Sequence, residues 1–395
     1  MDFNLTPHHL ELQKRVRDFC DQRLAPQAAL RDQKEEFSWD TVPLLKEMGF
    51  WGIPFPKKYG GMGEDELGLC IILEELGRVD ASTALTVESH NGLCSSQIYL
   101  HGSEEQRLRY IPRLASGQDL GAWALTEPGA GSDAASIQTR AEFDGVHWVL
   151  NGSKTFTTQG SVAGIYVIFA KTSAEFTENG REGLTAFVVE KGTPGLNIGK
   201  IEKKMGLRSS DTAQLHLHNL KLPKEAVIGK AGRAFRDAMV VLDGGRVAIS
   251  AISVGIARAA LEEGICWVKE RQSDYGITPE NPGLTYAQRV LAQLASEVDA
   301  ARLLTWRAAF LMDQKRPYSQ EASMAKLISG DLAVRATSEI LDLIGPEGSL
   351  LNCPVQRFFR DSKLYQIGEG SSQIQQLVIS RHLLKNFDSP SLVKA

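Results

Sequence analysis

Residues 234–270 read AFRDAMVVLDGGRVAISAISVGIARAALEEGICWVKE, an alanine-rich run that repeats apolar residues with helical periodicity over its whole length. The same periodicity returns in residues 285–314, 319–344 and 372–386. Each of these helices carries an apolar stripe that needs a partner. Four long helices joined by polar connections therefore predict a helical bundle.

The first third of the chain is also helical by pattern. Thr6 followed by Pro7 gives a capping residue and then a proline at the first helical position. Helical periodicity continues through residues 67–76 and 84–100. We therefore predict an all-helical N-terminal domain over residues 1–120.

Near Gly121 the periodicity changes from helical to alternating. Strand-like runs occupy residues 137–143, 146–150, 165–170, 184–189 and 215–218. Asp144-Gly145 and Asn151-Gly152 are typical turn pairs. These patterns predict a central antiparallel β domain over residues 121–230, and the C-terminal four-helix bundle then takes residues 231–395. The predicted fold class is α+β multidomain, in the order helices, strands, helical bundle.

Composition and charge narrow the classes of partner. The chain has 395 residues, 43% hydrophobic and 23% charged, which is enough to bury a large core. A net charge of -4 and a pI near 6.1 argue against a surface built for nucleic acid or an anionic membrane, because both need a basic excess. A DNA-associated or scaffolding relative would need a basic channel that the composition does not indicate.

The cysteines and the N-terminus indicate the compartment. Five cysteines, odd in number and without a C-x-x-C pair, are typical of free thiols in a reducing environment and argue against zinc. The eight histidines form no pattern of metal ligands, so we expect no metal. No run of about 18 apolar residues and no apolar signal core occur. We expect a cytoplasmic protein without membrane insertion, the alternative being an organellar protein with its leader removed.

One carboxylate stands out near the C-terminus. Residues 364–378, LYQIGEGSSQIQQLV, place Glu369 between Gly368 and Gly370 just before an apolar-periodic helix. The two glycines remove side-chain bulk, so a ligand could approach the backbone closely. Ser372 and Gln375 form an S-x-x-Q pattern that predicts a capped helix start. A helix N-terminus lowers a carboxylate pKa and burial raises it, so such a site can tune a base, although the spacing alone favours a solvated glutamate in a capping loop.

The nucleotide and hydrolase motifs are missing. Residues 129–132, GAGS, lack the third glycine and the βαβ context of a dinucleotide fingerprint, and no G-x-x-x-x-G-K-[ST] occurs. NAD and ATP loops are therefore disfavoured. No G-x-S-x-G occurs either, which removes the simplest hydrolase interpretation. Read locally, residues 127–131 are a turn after a strand.

Five further segments, taken together and in this order, resemble the acyl-CoA dehydrogenase family. They are WALTEPGAGSD at 123–133, NGSKTFTTQG at 151–160, KMGLRSSDT at 204–212, DGGR at 243–246 and RD at 360–361. The resemblance covers nearly the whole chain. It implies an FAD-dependent dehydrogenation of an acyl-CoA, electron transfer flavoprotein as the electron acceptor, and a homotetramer. An oxidase that uses oxygen, or another flavoprotein on the same fold, would share these motifs.

The resemblance also implies roles for individual residues. Glu369 would be the catalytic base that takes the α-proton. The residues that would bind FAD are Trp123, Leu125, Thr126, Gly131, Ser132, Phe156, Thr158, Ser371 and Gln373, with Arg271 and Gln288 reaching the flavin nucleotide of a neighbouring subunit. The residues that would bind substrate are Ser132, Asp243, Arg246 and Gly370. For Arg246 an ion pair that caps a helix is an equal alternative.

Several positions depart from the family pattern around the cofactor. Phe156 stands where many members carry tryptophan, so stacking is kept and an indole donor is lost. The segment between Arg271 and Gln288 is longer than usual and contains Pro279 and Pro282. Residues 342–348, DLIGPEG, replace a glutamine- and glycine-rich loop. We expect altered contacts at the adenine end, because proline lacks a backbone donor and aspartate faces phosphate poorly.

Other departures concern the base and the acyl pocket. In the isovaleryl and long-chain branches the base precedes an arginine at the position that Gly245 holds here, so Glu369 is the sole candidate. Gly368 replaces a common tyrosine, which predicts a wider pocket for branched, cyclic or aryl acyl groups. The polar residues 88–91, ESHN, argue against a long alkyl chain, unless they face solvent or the helix ends.

Overall fold

A computed structural model describes residues 4–173, 175, 183–278 and 283–386. The N-terminal helices are α1 Pro7–Phe19, α2 Ala25–Lys34, α3 Thr41–Glu47, α4 Glu66–Val79, α5 Ala81–Glu88, α6 Ser96–His101 and α7 Glu104–Ala115. The strands are β1 Gly121–Ala124, β2 Arg140–Phe143, β3 Trp148–Thr158, β4 Ile165–Thr172, β5 Gly183–Glu190, β6 Leu196–Ile201, β7 Thr212–Leu222 and β8 Val227–Ile228. The C-terminal helices are α8 Ala234–Glu270, α9 Tyr286–Asp313, α10 Ser319–Ile344, α11 Pro354–Ser362 and α12 Ser372–Asn386. The predicted order of helices, strands and helical bundle is confirmed.

The N-terminal helices begin as their sequence predicts. Thr6 caps α1, with its hydroxyl accepting from the backbone N–H of His9 at 3.2 Å. The predicted helix over residues 84–100 is not continuous, because a π-helical segment, Ser89–Ser95, separates α5 from α6. A π-helical turn inserts one extra residue, which rotates the side chains that follow it, and such turns are frequent at functional sites.

The sheet is mixed rather than purely antiparallel. Its order is β6-β7-β3-β2-β4-β5-β8, with β1 also paired to β4. Pairing is antiparallel except that β1 and β2 both run parallel to β4. These pairs are parallel because the chain reaches β4 through intervening structure instead of through a hairpin. The prediction of an antiparallel sheet is wrong for these two pairs, and strands β1, β6 and β8 lie outside the predicted strand runs.

The two predicted turns have different outcomes. Asp144-Gly145 lies in a four-residue connection between β2 and β3, where the backbone N–H of Asp144 donates to the carbonyl of His147 at 2.9 Å. Asn151-Gly152 is not a turn, because it lies inside β3 at an irregularity in the pairing with β7. A Cβ on Gly152 would meet Thr139 Oγ1 at 2.4 Å, so the glycine permits a close backbone approach.

Helix α8 is the centre of the C-terminal region and packs against α4, α9 and α10. It is the one described helix that is long and apolar enough to cross a membrane, and 72% of its most apolar 18-residue window is buried inside the protein. Its hydropathy is therefore that of a core helix. Helix α11, which the sequence analysis did not predict, packs against α8 and α10.

Glycines bring α4 and α8 into close contact. A Cβ on Gly77 would lie 2.7 Å from the carbonyl oxygen of Ile252, and one on Gly255 would lie 2.3 Å from the carbonyl oxygen of Glu74. The crossing is also held by the buried guanidinium of Arg258, which donates to Glu74 at 2.7 Å and to Glu75 at 3.0 Å. Bulk at either glycine must therefore separate the helices and weaken these ion pairs.

We predict that Gly255→Ala lowers the free energy of unfolding by about 1–3 kcal/mol, because the added methyl group meets rigid backbone. Gly244→Ala on the same helix is the matched control. Its Cβ would meet only the flexible end of Met312 at 3.2 Å, so we expect no loss of stability. Urea denaturation of both variants measures the difference, and equal stabilities would contradict the account of the crossing.

Candidate functional site

Glu369 lies in a strained turn between α11 and α12. Its φ is 55° and that of Gly370 is 99°, so two successive residues occupy the left-handed region. Three side chains hold this turn by its carbonyl groups. Lys326 Nζ donates to the carbonyl of Gly370 at 2.7 Å, Gln375 Nε2 donates to the same oxygen at 2.8 Å, and Arg246 Nε donates to the carbonyl of Glu369 at 3.4 Å.

The predicted cap of α12 is wrong in its details. Ser372 is the first residue of the helix, and its hydroxyl donates to Asp331 Oδ1 at 3.0 Å instead of capping. The carbonyl of Ser371 accepts from the backbone N–H of Gln375 at 3.0 Å. The side-chain amide of Gln375 donates instead to the turn at Glu369. It therefore stabilises the loop that carries the carboxylate and not the end of the helix.

The Glu369 side chain is enclosed, unlike a solvated glutamate in a capping loop. Its Oε2 is buried, and among the described residues the side chain is in hydrogen-bonding contact only with the carboxyl group of Glu88. Burial raises the pKa of Glu369 to about 7, while contact with Glu88 and the charges of Arg246 and Lys326 oppose that rise. Burial in turn lowers the pKa of Lys326 to about 8. A carboxyl group with this pKa can act as a base near neutral pH.

Arg246 and Asp243 lie on α8 beside this turn. Arg246 is buried and forms an ion pair with Asp243 within the helix, one turn apart. Burial raises the pKa of Asp243 against the lowering effect of the Arg246 charge. Arg246 therefore forms the ion pair of one alternative, although inside α8 and not at a helix end, and it also contacts the backbone of Glu369. Its role toward a substrate stays a prediction.

Gly245 faces the carboxyl group of Glu369. A Cβ at Gly245 would lie 2.2 Å from Glu369 Oε2. Any side chain at this position must therefore displace the Glu369 carboxyl group, and a carboxylate at Gly245 could not coexist with the present position of Glu369.

The polar residues 88–91 are all buried, so they do not face solvent. The side chains of His90 and Asn91 form hydrogen bonds with backbone carbonyl groups. His90 Nε2 lies 3.0 Å from the carbonyl oxygen of Trp51, and Asn91 Nδ2 donates to the carbonyl of Phe50 at 2.9 Å. Glu88 is different, because its buried carboxyl group is in hydrogen-bonding contact with the carboxyl group of Glu369 and with no other described residue. The polarity of this stretch is evident from the sequence, but nothing in the sequence indicates that Glu88 contacts Glu369.

The predicted flavin residues of this part of the chain lie on β1, on the loop that follows it and on β3. Strands β1 and β2 pair with successive parts of β4, so the chain between them must leave the sheet. Glu127 fixes this loop from within, accepting from buried Lys154 at 2.7 Å and from the backbone N–H of Thr139 at 3.0 Å. The ion pair of Glu127 and Lys154 was not predicted from the sequence, where its only signal is one charged residue in each of two neighbouring motifs.

The loop and β3 present an open surface that fits a planar aromatic group. Phe156 is 65% exposed with φ 52°, and Thr158 lies two residues further along β3. Trp123 Nε1 is buried with no partner among the described residues. Leu125 is buried, whereas Thr126 is partly exposed and Gly131 and Ser132 are exposed. An exposed ring, an unpartnered indole donor and open backbone together suit a flavin ring and its polar edge.

The remaining predicted cofactor residues separate into two groups. Ser371 and Gln373 lie at the start of α12, directly after the turn that carries Glu369. Arg271 stacks on Trp267 at the far end of α8, about 37 Å along the helix from Arg246 at 1.5 Å per residue. Gln288 forms the capping box of α9 with Thr285. The structure thus does not bring Arg271 and Gln288 to the rest of the site within one chain.

Two segments that depart from the family pattern, and the absence of a metal site, were also predicted from the sequence. Pro279 and Pro282 lie outside the described residues. The DLIGPEG segment ends α10, and the Tyr275 hydroxyl donates to the carbonyl of Leu343 at 2.7 Å, which ties this segment to the end of α8. Over the described ranges, no three histidine, cysteine, aspartate or glutamate residues form a group that could hold a metal ion.

Comparisons with known proteins cover the whole chain. Domain models of the acyl-CoA dehydrogenase family match residues 6–118 for the N-terminal domain, 122–220 for the middle domain and 232–384 for the C-terminal domain. The chain is 40% identical over 385 residues to the short-chain specific acyl-CoA dehydrogenase of Clostridium acetobutylicum, covering 98% of this chain and 100% of the relative. It is 37% identical to the mitochondrial short-chain specific enzyme of Rattus norvegicus, covering 96% and 91%.

Solved structures agree. The butyryl-CoA dehydrogenase of Megasphaera elsdenii has a TM-score of 0.91 at 37% identity, covering 97% of this chain and 100% of that chain. A chain from a structure described as the electron transferring flavoprotein of Acidaminococcus fermentans has a TM-score of 0.90 at 38% identity, covering 98% and 100%. An acyl-CoA dehydrogenase of Bacillus anthracis complexed with FAD has a TM-score of 0.87 at 30% identity, covering 97% of this chain and 67% of that chain. The protein belongs to the acyl-CoA dehydrogenase family.

Proposed function

We propose that this protein removes the α-proton and a β-hydride from an acyl-CoA thioester, giving the 2-enoyl-CoA, with Glu369 as the base. The observation that carries the proposal is the enclosed Glu369 carboxyl group, whose pKa of about 7 suits proton abstraction near neutral pH. Arg246, Lys326 and Gln375 hold the turn that carries it. A fixed base of matched pKa is what removal of a weakly acidic carbon-bound proton requires.

FAD is the cofactor of this reaction. Its flavin would be held by Trp123, Leu125, Thr126, Gly131, Ser132, Phe156 and Thr158, together with Ser371 and Gln373. When bound, FAD supplies the acceptor for the hydride that leaves the β-carbon. Two of the similar solved structures support this cofactor, because they hold FAD or FADH2.

The protein's own groups perform the proton chemistry. Glu369 takes the α-proton, and the backbone N–H of Glu369 polarises the thioester carbonyl as negative charge develops on its oxygen. The acyl group excludes water from the carboxylate and so increases its basicity. Asp243 and Arg246 hold the polar end of the pocket, and Ser132 and Gly370 border the substrate.

Electron transfer flavoprotein is the electron acceptor. This assignment is supported by the high similarity of the protein to a chain in a solved structure whose description names an electron transferring flavoprotein. The alternative is an oxidase, which one similar structure favours: the prolyl acyl carrier protein oxidase AnaB has a TM-score of 0.88 at 29% identity. Reoxidation of reduced enzyme by oxygen, compared with reoxidation by electron transfer flavoprotein, separates the two.

The substrate is a short, branched or cyclic acyl group. A Cβ on Gly368 would make only ordinary contacts, the nearest with the carbonyl oxygen of Leu364 at 3.5 Å, so a side chain could begin there without a clash and the glycine leaves that room to a substrate. Glu88 adds a buried polar wall, which disfavours a long alkyl chain. Several relatives are named short-chain specific, which agrees with a small acyl group. We also infer a cytoplasmic location.

The enzyme is a homotetramer. The placement of Arg271 and Gln288 away from the turn that carries Glu369 supports it, because they can serve a cofactor only in another subunit. Large apolar side chains are also exposed on and beside the C-terminal helices, and pairing of subunits would cover them: Leu284, Tyr286, Phe310, Ile328, Leu383 and Leu384.

We predict that Glu369→Gln lowers kcat by several orders of magnitude while FAD content and acyl-CoA affinity are kept, because the amide has the same shape but cannot accept the proton. Stopped-flow measurement of flavin bleaching gives the rate. Glu11→Gln, which changes an exposed carboxylate on α1 that is assigned to no site, is the control. Near-normal bleaching in Glu369→Gln would exclude Glu369 as the base.

The same site predicts a pH dependence. The base must be deprotonated in the free enzyme, and its pKa is about 7. kcat/KM should therefore fall about tenfold per pH unit below pH 7 and level off above it. Initial rates in overlapping buffers from pH 5 to 9 measure this, and a constant kcat/KM down to pH 5 would contradict the assigned base.

A panel of thioesters tests the pocket. We predict higher kcat/KM for butyryl-, isobutyryl- and cyclohexanecarboxyl-CoA than for palmitoyl-CoA. Gly368→Tyr should lower kcat/KM for the cyclic and branched substrates more than for butyryl-CoA, because the ring fills the free space. A clear preference for palmitoyl-CoA would contradict the proposed substrate class.

For the oligomer, we predict a mass of about four 43.3 kDa chains by sedimentation of the flavin-saturated protein. Arg271→Ala should lower FAD content without changing the bleaching rate of the flavin that stays bound, because Arg271 lies far from Glu369. A flavin-saturated monomer would contradict both the tetramer and the shared cofactor site.

A further inference from the structure

Glu88 is a buried carboxyl group that the reaction proposed above does not use. It ends α5 at the entry to the π-helical segment, and only 1% of its surface is exposed. Its carboxyl group is in hydrogen-bonding contact with that of Glu369 and with no other described residue. Burial of a carboxyl group is costly unless it is hydrogen-bonded, so the contact with Glu369 is what makes the position of Glu88 tolerable.

Two glycines make room for the contact between the carboxyl groups. A Cβ on Gly92, one turn after Glu88, would lie 2.6 Å from Glu88 Oε1. A Cβ on Gly245 of α8 would lie 2.2 Å from Glu369 Oε2. A side chain at either position would displace one of the two carboxyl groups, so the paired arrangement depends on both glycines.

The cations near the pair act on Glu369. Arg246 of α8 and Lys326 of α10 donate to the turn that carries Glu369, and their charges favour the ionised form of its carboxyl group. Glu88 has no cation partner in the part of the chain that the structure describes. The two carboxyl groups of the pair therefore have different electrostatic surroundings.

The other titratable groups on the surrounding elements have partners of their own. They are Asp80 before α5, paired with Arg31; Glu74 and Glu75 of α4, paired with Arg258 of α8; Asp243 of α8, paired with Arg246; Asp331 of α10, bonded to Ser372; Asp361 of α11, bonded to the N–H of Leu207; Tyr365, bonded to the carbonyl of Ala81; and His90, bonded to the carbonyl of Trp51. His382 of α12 acts on Asp243.

The pair holds one proton near neutral pH. Two carboxylates in hydrogen-bonding contact repel each other strongly at a buried site, so one of them keeps its proton. The cations stabilise the ionised form of Glu369, so the proton stays on Glu88. In agreement, burial and the neighbouring Glu369 raise the pKa of Glu88 well above its ordinary value. A neutral carboxyl group has one O–H donor, and a carboxylate can accept from it.

We propose that Glu88 is a positioning residue for the base: its protonated carboxyl group donates a hydrogen bond to one oxygen of the Glu369 carboxylate and leaves the other oxygen to take the α-proton. The inference rests on the proposed function, because it concerns the base named there. When the C–H bond of the substrate breaks, the new O–H bond forms on Glu369 and Glu88 keeps its own proton. The hydrogen bond orients the carboxylate and stabilises its ionised form, so more of the enzyme carries an active base near neutral pH.

The direction of a pH shift tests the proposal. Glu88→Leu removes a hydrogen bond to a charged group, so the acid limb of kcat/KM should move to higher pH by about 1–2 units. Glu88→Gln keeps a donor, and its limb should stay close to that of the wild type. Glu66→Gln is the control, because the carboxyl group of Glu66 on α4 also has a pKa of about 7 but is influenced by Asp313 and Asp65 instead of Glu369, so the limb should not move.

Two results of this comparison would overturn the proposal. A shift of the limb to lower pH in Glu88→Leu would mean that an ionised Glu88 repels the base, because removal of a like charge lowers the pKa of Glu369. An unchanged limb in Glu88→Leu would mean that Glu88 only fills space beside the base.

An infrared measurement makes the test independent of turnover and of the Glu88→Leu variant. We expect the spectrum of the FAD-loaded wild-type protein at pH 8, minus that of Glu88→Gln, to contain the C=O stretching band of a protonated carboxyl group. A difference spectrum with carboxylate bands only would show an ionised Glu88 and overturn the proposal. Failure of the proposed function has a different signature: no acyl-CoA then bleaches the wild-type flavin, whereas the infrared bands still report the proton on Glu88.

Discussion

The left-handed turn at Glu369 and Gly370 is the constraint on which the site depends. Two successive residues with positive φ cost conformational energy, so the turn persists only because its surroundings fix it. Lys326 from α10, Gln375 from α12 and Arg246 from α8 each donate to its carbonyl groups. The bundle therefore fixes the position of one carboxyl group, and Glu88, at the entry to the π-helical segment, contacts that group.

A second constraint shapes the cofactor surface. Strands β1 and β2 share the edge of β4, so the chain between them must leave the sheet. The buried pair of Glu127 and Lys154 then fixes the loop from inside, which leaves its outer face free for a ligand. The same sheet edge thus produces the parallel pairings and the open loop.

Long elements with a repeated apolar pattern were predicted well from the sequence, and local features such as turns and caps were predicted poorly. The four C-terminal helices were predicted within a residue or two, because each buries an apolar stripe over several turns. The predicted turn at Asn151-Gly152 is wrong, because residues that favour turns also occur at a bulge inside a strand. The predicted cap at Ser372 is wrong, because the Ser372 hydroxyl donates to Asp331 of another helix instead. The contact of Glu88 with Glu369 was not predictable, because 281 positions separate them (369 minus 88) and only the tertiary fold brings them together.

The two glycines beside the carboxyl pair show how the site is committed to one base. Gly245 leaves no room for any side chain while Glu369 holds its position, and Gly92 leaves room for the carboxyl group of Glu88. A residue with a side chain at Gly245 would displace the Glu369 carboxyl group, and one at Gly92 would displace the carboxyl group of Glu88. Each glycine thus excludes a different rearrangement. The pocket keeps two carboxyl groups that differ in role because their surroundings differ: Glu369 has cations at its turn, and Glu88 has none within hydrogen-bonding reach among the described residues.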